Sequence, residues 1–198
     1  MKQVFRHQNP VQGVRVAGFT LLELMAVIAI LSLLVMMAAP SFEDTTTKAS
    51  IRAGTTDLAT DLAYARSAAV TRSESVSLCA SDEGITPRAC NNGSWDDGWL
   101  VFYDTDEDAV LDAGEEVVRM GASLGRRVVL TLDNAVTFSG KGVKDLVSEF
   151  RFCSADDDNA RYARSIVVNV GGLVRYSRDT DSDGIHNGGE GGGNLSCP

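Results

Sequence analysis

The chain has 198 residues, with 18 basic and 27 acidic side chains, a formal net charge of −9 and four cysteines. That length is enough for one globular domain with a real core beside a shorter terminal segment. An acidic balance argues against broad nucleic-acid affinity and leaves only a local basic patch open.

Residues 1–17 carry Lys2, Arg6 and Arg15 and no acid, so the start of the chain is expected to stay on the cytoplasmic side. From Phe19 to Ala39 the only polar side chains are Thr20, Glu23 and Ser32. At ~1.5 Å rise per residue, a helix of this length spans roughly the ~30 Å hydrocarbon core of a bilayer. Glu23 inside it costs on the order of a few kcal/mol in lipid and calls for a partner. A secretory signal peptidase would cut after the apolar run, where Ala38-Ala39-Pro40 is a poor site.

Gly18-Phe19-Thr20-Leu21-Leu22-Glu23 ahead of an apolar helix resembles the start of a type IV prepilin. The resemblance implies a prepilin peptidase that cuts after Gly18 and N-methylates Phe19. It also implies that Glu23, fifth in the mature chain, pairs with the terminal amine of a neighbouring subunit, which offsets the desolvation of a buried carboxylate. The competing reading is a plain single-pass anchor with a chance acid. Losing the three basic residues of the leader leaves 15 basic against 27 acidic residues, or −12.

Pro40 is expected to kink the helix rather than end it. Beyond it, Ile51, Leu58, Leu62, Ala65 and Ala69 form one apolar stripe, with Asp57, Asp61, Arg66 and Arg72 elsewhere around the helix. The helix is predicted to run from about Phe19 to Thr71, with Gly54 as a second flex point. After Arg72 the period becomes that of strands: 75–79, 99–103, 116–119, 127–132, 135–138, 149–153, 165–170 and 173–176. Short strands between Gly, Asn and Asp turns predict an α+β fold, antiparallel sheets packed on one long helix. The expected divisions are a leader 1–18, a membrane helix 19–39, an amphipathic half 40–73 and a β-rich head 74–198.

Cys79, Cys90, Cys153 and Cys197 all follow the membrane segment, and an even count in a translocated domain reads as two disulfides. Three pairings exist; Cys79–Cys90, closing a short loop, and Cys153–Cys197, tying down the C-terminus, are favoured.

Residues 63–70 at the helix end, Asp97-Gly98-Trp99-Leu100-Val101-Phe102-Tyr103-Asp104, Gly114-Glu115-Glu116-Val117-Val118-Arg119, Phe138-Ser139-Gly140 and Gly171-Gly172 resemble the GspH/FimT family of minor pilins and pseudopilins. The resemblance implies a subunit near the tip of a type IV pilus or a type II secretion pseudopilus, acting in filament assembly and protein secretion. It implies inner-membrane insertion with a periplasmic head before assembly, and other pilins as partners. The longer Cys79–Cys90 loop and the acidic, Gly-rich tail depart from the family pattern.

Two acidic loops carry metal-ligand spacing. Asp179, Asp181, Asp183, Ile185 (through its carbonyl), Asn187 and Glu190 stand at positions 1, 3, 5, 7, 9 and 12 of an EF-hand calcium loop, with Gly184 at position 6. Asp104, Asp106, Asp108, Val110, Asp112 and Glu115 repeat the spacing, with Ala109 where glycine is usual; this second loop is the weaker calcium candidate. No cofactor is otherwise required. The alternative readings are a solvated acidic tail and a plain acidic hairpin turn.

DNA capture is the competing function. FimT-like pilins implicated in DNA uptake carry late arginines, and this chain has Arg161, Arg164, Arg175 and Arg178 around Tyr176, with Arg175 and Arg178 the residues favoured for DNA contact. Asp156–Asp158 and the acids of the 179–183 stretch disfavour it. One histidine in the mature chain, no GxSxG elbow and no phosphate-binding glycine loop argue against an enzyme.

Overall fold

The computed structural model describes residues 18–132, 136–143, 146–156, 160–189 and 192–198, the side chains of 37–42 excepted, so the leader 1–17 lies outside it. One helix, α1, spans Leu21–Arg72. The chain divides into two compact units, residues up to Phe42 and Glu43–Pro198.

In the first unit the described side chains of 18–36 are all exposed, and the apolar ones make an uncovered surface in which Phe19 is 84% exposed. The helix passes through Pro40 without a stop. Among the described residues no helix is long and apolar enough to cross a membrane. The span expected over 19–39 runs into residues 37–39, whose side chains are outside the described set.

In the second unit all the expected strands form: β1 (Val76–Ala80), β2 (Trp99–Tyr103), β3 (Val117–Gly121), β4 (Val128–Thr131), β5 (Val136–Phe138), β6 (Ser148–Ser154), β7 (Arg164–Val168) and β8 (Val174–Tyr176). They make two antiparallel sheets, ordered β3-β2-β1-β5 and β4-β6-β7-β8. Ile51, Leu58, Leu62, Ala65 and Ala69 of α1 share one buried cluster with Leu78, Trp99 and Val101 of the first sheet and Phe150, Phe152 and Ile166 of the second. The stripe seen in the sequence is therefore the seam on which both sheets close. Each large apolar side chain removed from water there contributes on the order of 1.5–3 kcal/mol.

The side of each sheet away from that seam has its own small core, and a disulfide sits in each. Cys79 pairs with Cys90, and Cys79, Leu100 and Phe102 form a cluster with Cys90, Leu111 and Val117 against it. Cys153 pairs with Cys197, beside Ala160, Ala163 and Leu195. This explains why β2 is buried at every position: Trp99, Val101 and Tyr103 join the main cluster, and Leu100 and Phe102 the disulfide cluster. The Gly-rich tail is accordingly structured where it is described, with Leu195 and Asn187 buried.

Two expectations change. Gly54 is no flex point, since the helix runs through it and an added Cβ would come within 2.6 Å of Leu124 Cδ2; the missing side chain admits Leu124. Asp61, placed away from the stripe, is buried: its Oδ2 accepts a 2.8 Å hydrogen bond from Trp99 Nε1, and its Oδ1 lies 3.1 Å from Arg119 Nε.

Candidate functional site: assembly motif and acidic loops

The N-terminal motif builds the start of α1. The Thr20 carbonyl accepts the N–H of Leu24 at 3.1 Å, and its hydroxyl accepts the N–H of Glu23 at 3.2 Å. Thr20 is thus the N-cap, its hydroxyl satisfying one orphan donor of the first turn, and Glu23 stands at the third helical position. A carboxylate there also suits the positive end of the helix dipole. A Cβ at Gly18 would meet nothing within 4 Å, so packing gives no reason for a glycine at that position.

At the other end of α1, Arg72 lies 2.6 Å from Glu116 and stacks over Tyr103 at 4.1 Å. The Glu116 hydrogen bond raises the Arg72 pKa, and Arg72 in turn lowers that of Glu116. Arg66, expected off the apolar stripe, donates from Nε to the Gly142 carbonyl at 3.0 Å. Gly172, at φ +72°, lies so close that a Cβ would fall 2.2 Å from the same carbonyl oxygen. The second glycine of the late pair therefore lets two loops close on the helix.

The two acidic loops share one backbone design. In the loop after β2, Asp104 Oδ2 accepts the N–H of Ala109 at 3.0 Å and Asp108 Oδ1 that of Val110 at 2.7 Å. In the tail loop, Asp179 Oδ2 accepts Gly184 N–H at 3.0 Å and Asp183 Oδ1 accepts Ile185 N–H at 2.8 Å. The fourth and sixth positions take positive φ in both: Glu107 and Ala109 in one, Ser182 and Gly184 in the other. Carboxylate oxygens of Asp104, Asp106 and Asp108 lie within 4.8 Å of one another, as do those of Asp179, Asp181 and Asp183.

The surroundings differ. Asp104 is wholly buried, whereas Asp179 is half-buried and Asp181 and Asp183 are exposed. Partial desolvation and the Asp108 charge push the Asp106 carboxyl up. Asp179 also meets desolvation, but the N–H groups of Gly184 and Ser182 outweigh it and hold its carboxyl below the usual range. Glu115 folds back across its loop, accepting the N–H of Thr105 at 2.8 Å and of Asp112 at 2.9 Å. Glu190, its counterpart in the tail loop, lies outside the described residues. Asn187 is engaged on both side-chain atoms: Oδ1 accepts from Thr180, and Nδ2 donates to Gly192 and Asn194. Ile185 packs on the cluster around Cys153. His186 holds Nδ1 3.0 Å from the Ser177 carbonyl, and burial lowers its pKa.

The late arginines separate into two clefts. Arg175 and Arg178 line one with the exposed Tyr176; Arg161 and Arg164 line another with Lys48 and Arg52. Arg161 also lies 3.8 Å from Asp44, and burial together with the Arg52 charge lowers the Arg164 pKa. Of the residues sequence reasoning missed, Asp61 had one signal, a tryptophan in a dense strand run that needs an acceptor for its indole N–H.

Comparison with known proteins completes the description. Residues 54–172 match the family model described as type II transport protein GspH, and residues 14–39 match the prokaryotic N-terminal methylation motif. The crystal structure of the type IV minor pilin FimU of Pseudomonas aeruginosa PAO1 resembles the chain with a TM-score of 0.51 at 17% identity, covering 68% of this chain and 92% of that one. A second crystal form of FimU gives a TM-score of 0.47 at 18% identity, covering 64% and 92%. No curated protein matches the sequence.

Proposed function

Since the chain belongs to the family of the type II transport protein GspH and carries an N-terminal methylation motif, we propose that it is a minor pilin or pseudopilin held in the inner membrane with a periplasmic head. On this reading a prepilin peptidase removes residues 1–18 and methylates Phe19, and the subunit enters a type IV pilus or type II secretion pseudopilus near its tip. The mechanism is packing and pairing, not catalysis. The observation that carries it is the first unit: a capped helix start followed by apolar side chains left exposed from Leu21 to Met36, with Glu23 the lone acid among them. An apolar surface of that extent marks a membrane or protein contact. A carboxylate within it gains most from an ammonium brought by a neighbour.

Glu23→Ala should leave the protein in the membrane fraction while sharply reducing its share in sheared filaments. Thr20→Ala is the control, since it removes the cap at a cost of about 1 kcal/mol but keeps the carboxylate. Normal incorporation of Glu23→Ala, or an equal loss in Thr20→Ala, overturns the pairing role.

A second reading, DNA capture, is favoured by one observation, the shared cleft of Arg175, Tyr176 and Arg178. Binding that weakens steeply with salt and disappears in Arg175→Ala with Arg178→Ala supports it. Salt-independent or absent binding removes it.

A further inference from the structure

One carboxylate oxygen distinguishes the loop after β2 from its twin in the tail. Asp104 is 0% exposed, and both hydrogen bonds to its carboxylate, from Ser77 Oγ and the Ala109 N–H, fall on Oδ2. Oδ1 is buried with no hydrogen-bond partner. A desolvated oxygen of that kind costs free energy until something electropositive meets it. No basic side chain pairs with the acids of this loop among the described ion pairs. What adjoins Asp104 is more acid, with Asp106 and Asp108 each placing an oxygen within 4.8 Å.

We propose that the loop 104–115 is a calcium site. Its ligands are the carboxylates of Asp104, Asp106, Asp108, Asp112 and Glu115 and the carbonyl of Val110. The donor set is all oxygen and strongly anionic, which selects a hard cation. A loop offering this many protein oxygen ligands suits calcium, whereas magnesium demands a tight octahedron and keeps its waters. The loop already holds the backbone shape that the spacing requires. Ala109 sits at φ +60°, where the twin loop has glycine, and Glu115 is already drawn back over the loop by two N–H donors.

The tail loop, with the better sequence match, is the poorer site. None of its three aspartates is buried, and its ninth-position Asn187 is spent on Thr180, Gly192 and Asn194. The effect of the ion would be mechanical. Ser77 of β1 holds Asp104, and Ser75 donates to Glu107, so a cation in the loop would fasten the β2–β3 connection to β1. This is independent of how the subunit assembles.

Calcium titration of the chelator-stripped full chain in detergent, followed by calorimetry, tests it. One site is expected, with an affinity between those of sensors and of weak extracellular modules, on the order of 10⁻⁵–10⁻³ M. Asp106→Asn with Asp108→Asn, both exposed, should raise Kd at least tenfold. Asp181→Asn with Asp183→Asn should leave it unchanged. Absence of any heat or melting-temperature change in the wild-type chain up to about 10 mM calcium overturns the proposal, since that exceeds the weakest range expected. So does binding that survives the first pair of substitutions and is lost with the second.

Discussion

Asp61 makes the most quantitative claim on the fold. It is a carboxylate in the C-terminal half of α1, 7% exposed, and two groups depend on it: the Trp99 indole N–H at 2.8 Å and the Arg119 guanidinium at 3.1 Å. Asp61→Ala strands the indole N–H in the core. A hydrogen bond to a charged acceptor contributes about 1.5–3 kcal/mol, and an unsatisfied buried donor costs about 1–3 kcal/mol. Arg119 is 40% exposed and remains hydrated, so its share is about 0–1 kcal/mol. The expected loss is about 2–4 kcal/mol. Asp61→Asn keeps an acceptor for Trp99 and forfeits only the charge, about 1 kcal/mol. Thermal unfolding followed by tryptophan fluorescence should show melting falling by roughly 2–4 °C per kcal/mol in a domain of this size, so that Asp61→Ala lies well below Asp61→Asn. If the two variants melt together, or if Asp61→Ala matches the wild type, the buried acceptor role is wrong.

The two disulfides should differ in worth. Cys153 and Cys197 are 44 residues apart, Cys79 and Cys90 only 11. Loop-closure entropy gives about 4 kcal/mol for the first and about 3 kcal/mol for the second, so the Ser pair replacing Cys153 and Cys197 should show the lower denaturation midpoint. A reversed order counts against the entropic account. His186 gives a pH dependence: burial keeps it neutral in the folded chain, while the unfolded chain takes up a proton near the ordinary pKa of about 6.5. Stability should therefore fall as pH drops through 6.5 towards the lowered folded value and level off below it. His186→Gln should flatten that slope in melts run across this range, and an unchanged slope assigns the effect elsewhere.

The strands were legible because their residues are β-branched or aromatic between turn formers, and the helix seam because its period is unbroken from Ile51 to Ala69. Periodicity failed at Asp61 for a physical reason. It sorts by polarity, and a polar residue that a tryptophan and an arginine jointly satisfy belongs inside. Gly54 was misread because a glycine in a helix weakens it locally, while its use here, admitting Leu124, needs the distant chain. The acidic loops show a related limit. Spacing ranks the tail loop first because it has glycine at the sixth position, yet spacing cannot show that Asn187 is already engaged. Nor can it show that Asp104, at the end of a buried strand, carries an oxygen with nothing to meet it. The N-terminal methylation motif was readable as a string, since it is a run of adjacent residues that needs no tertiary contact to be recognised.

The most direct test of the filament account is the N-terminus of the protein recovered from membranes and from sheared filaments of its host, read by mass spectrometry. The account predicts a chain beginning at N-methylated Phe19 with residues 1–18 gone. A retained leader, or a terminus beyond the apolar run 19–39, would contradict it and leave a protein that does not polymerise through this helix.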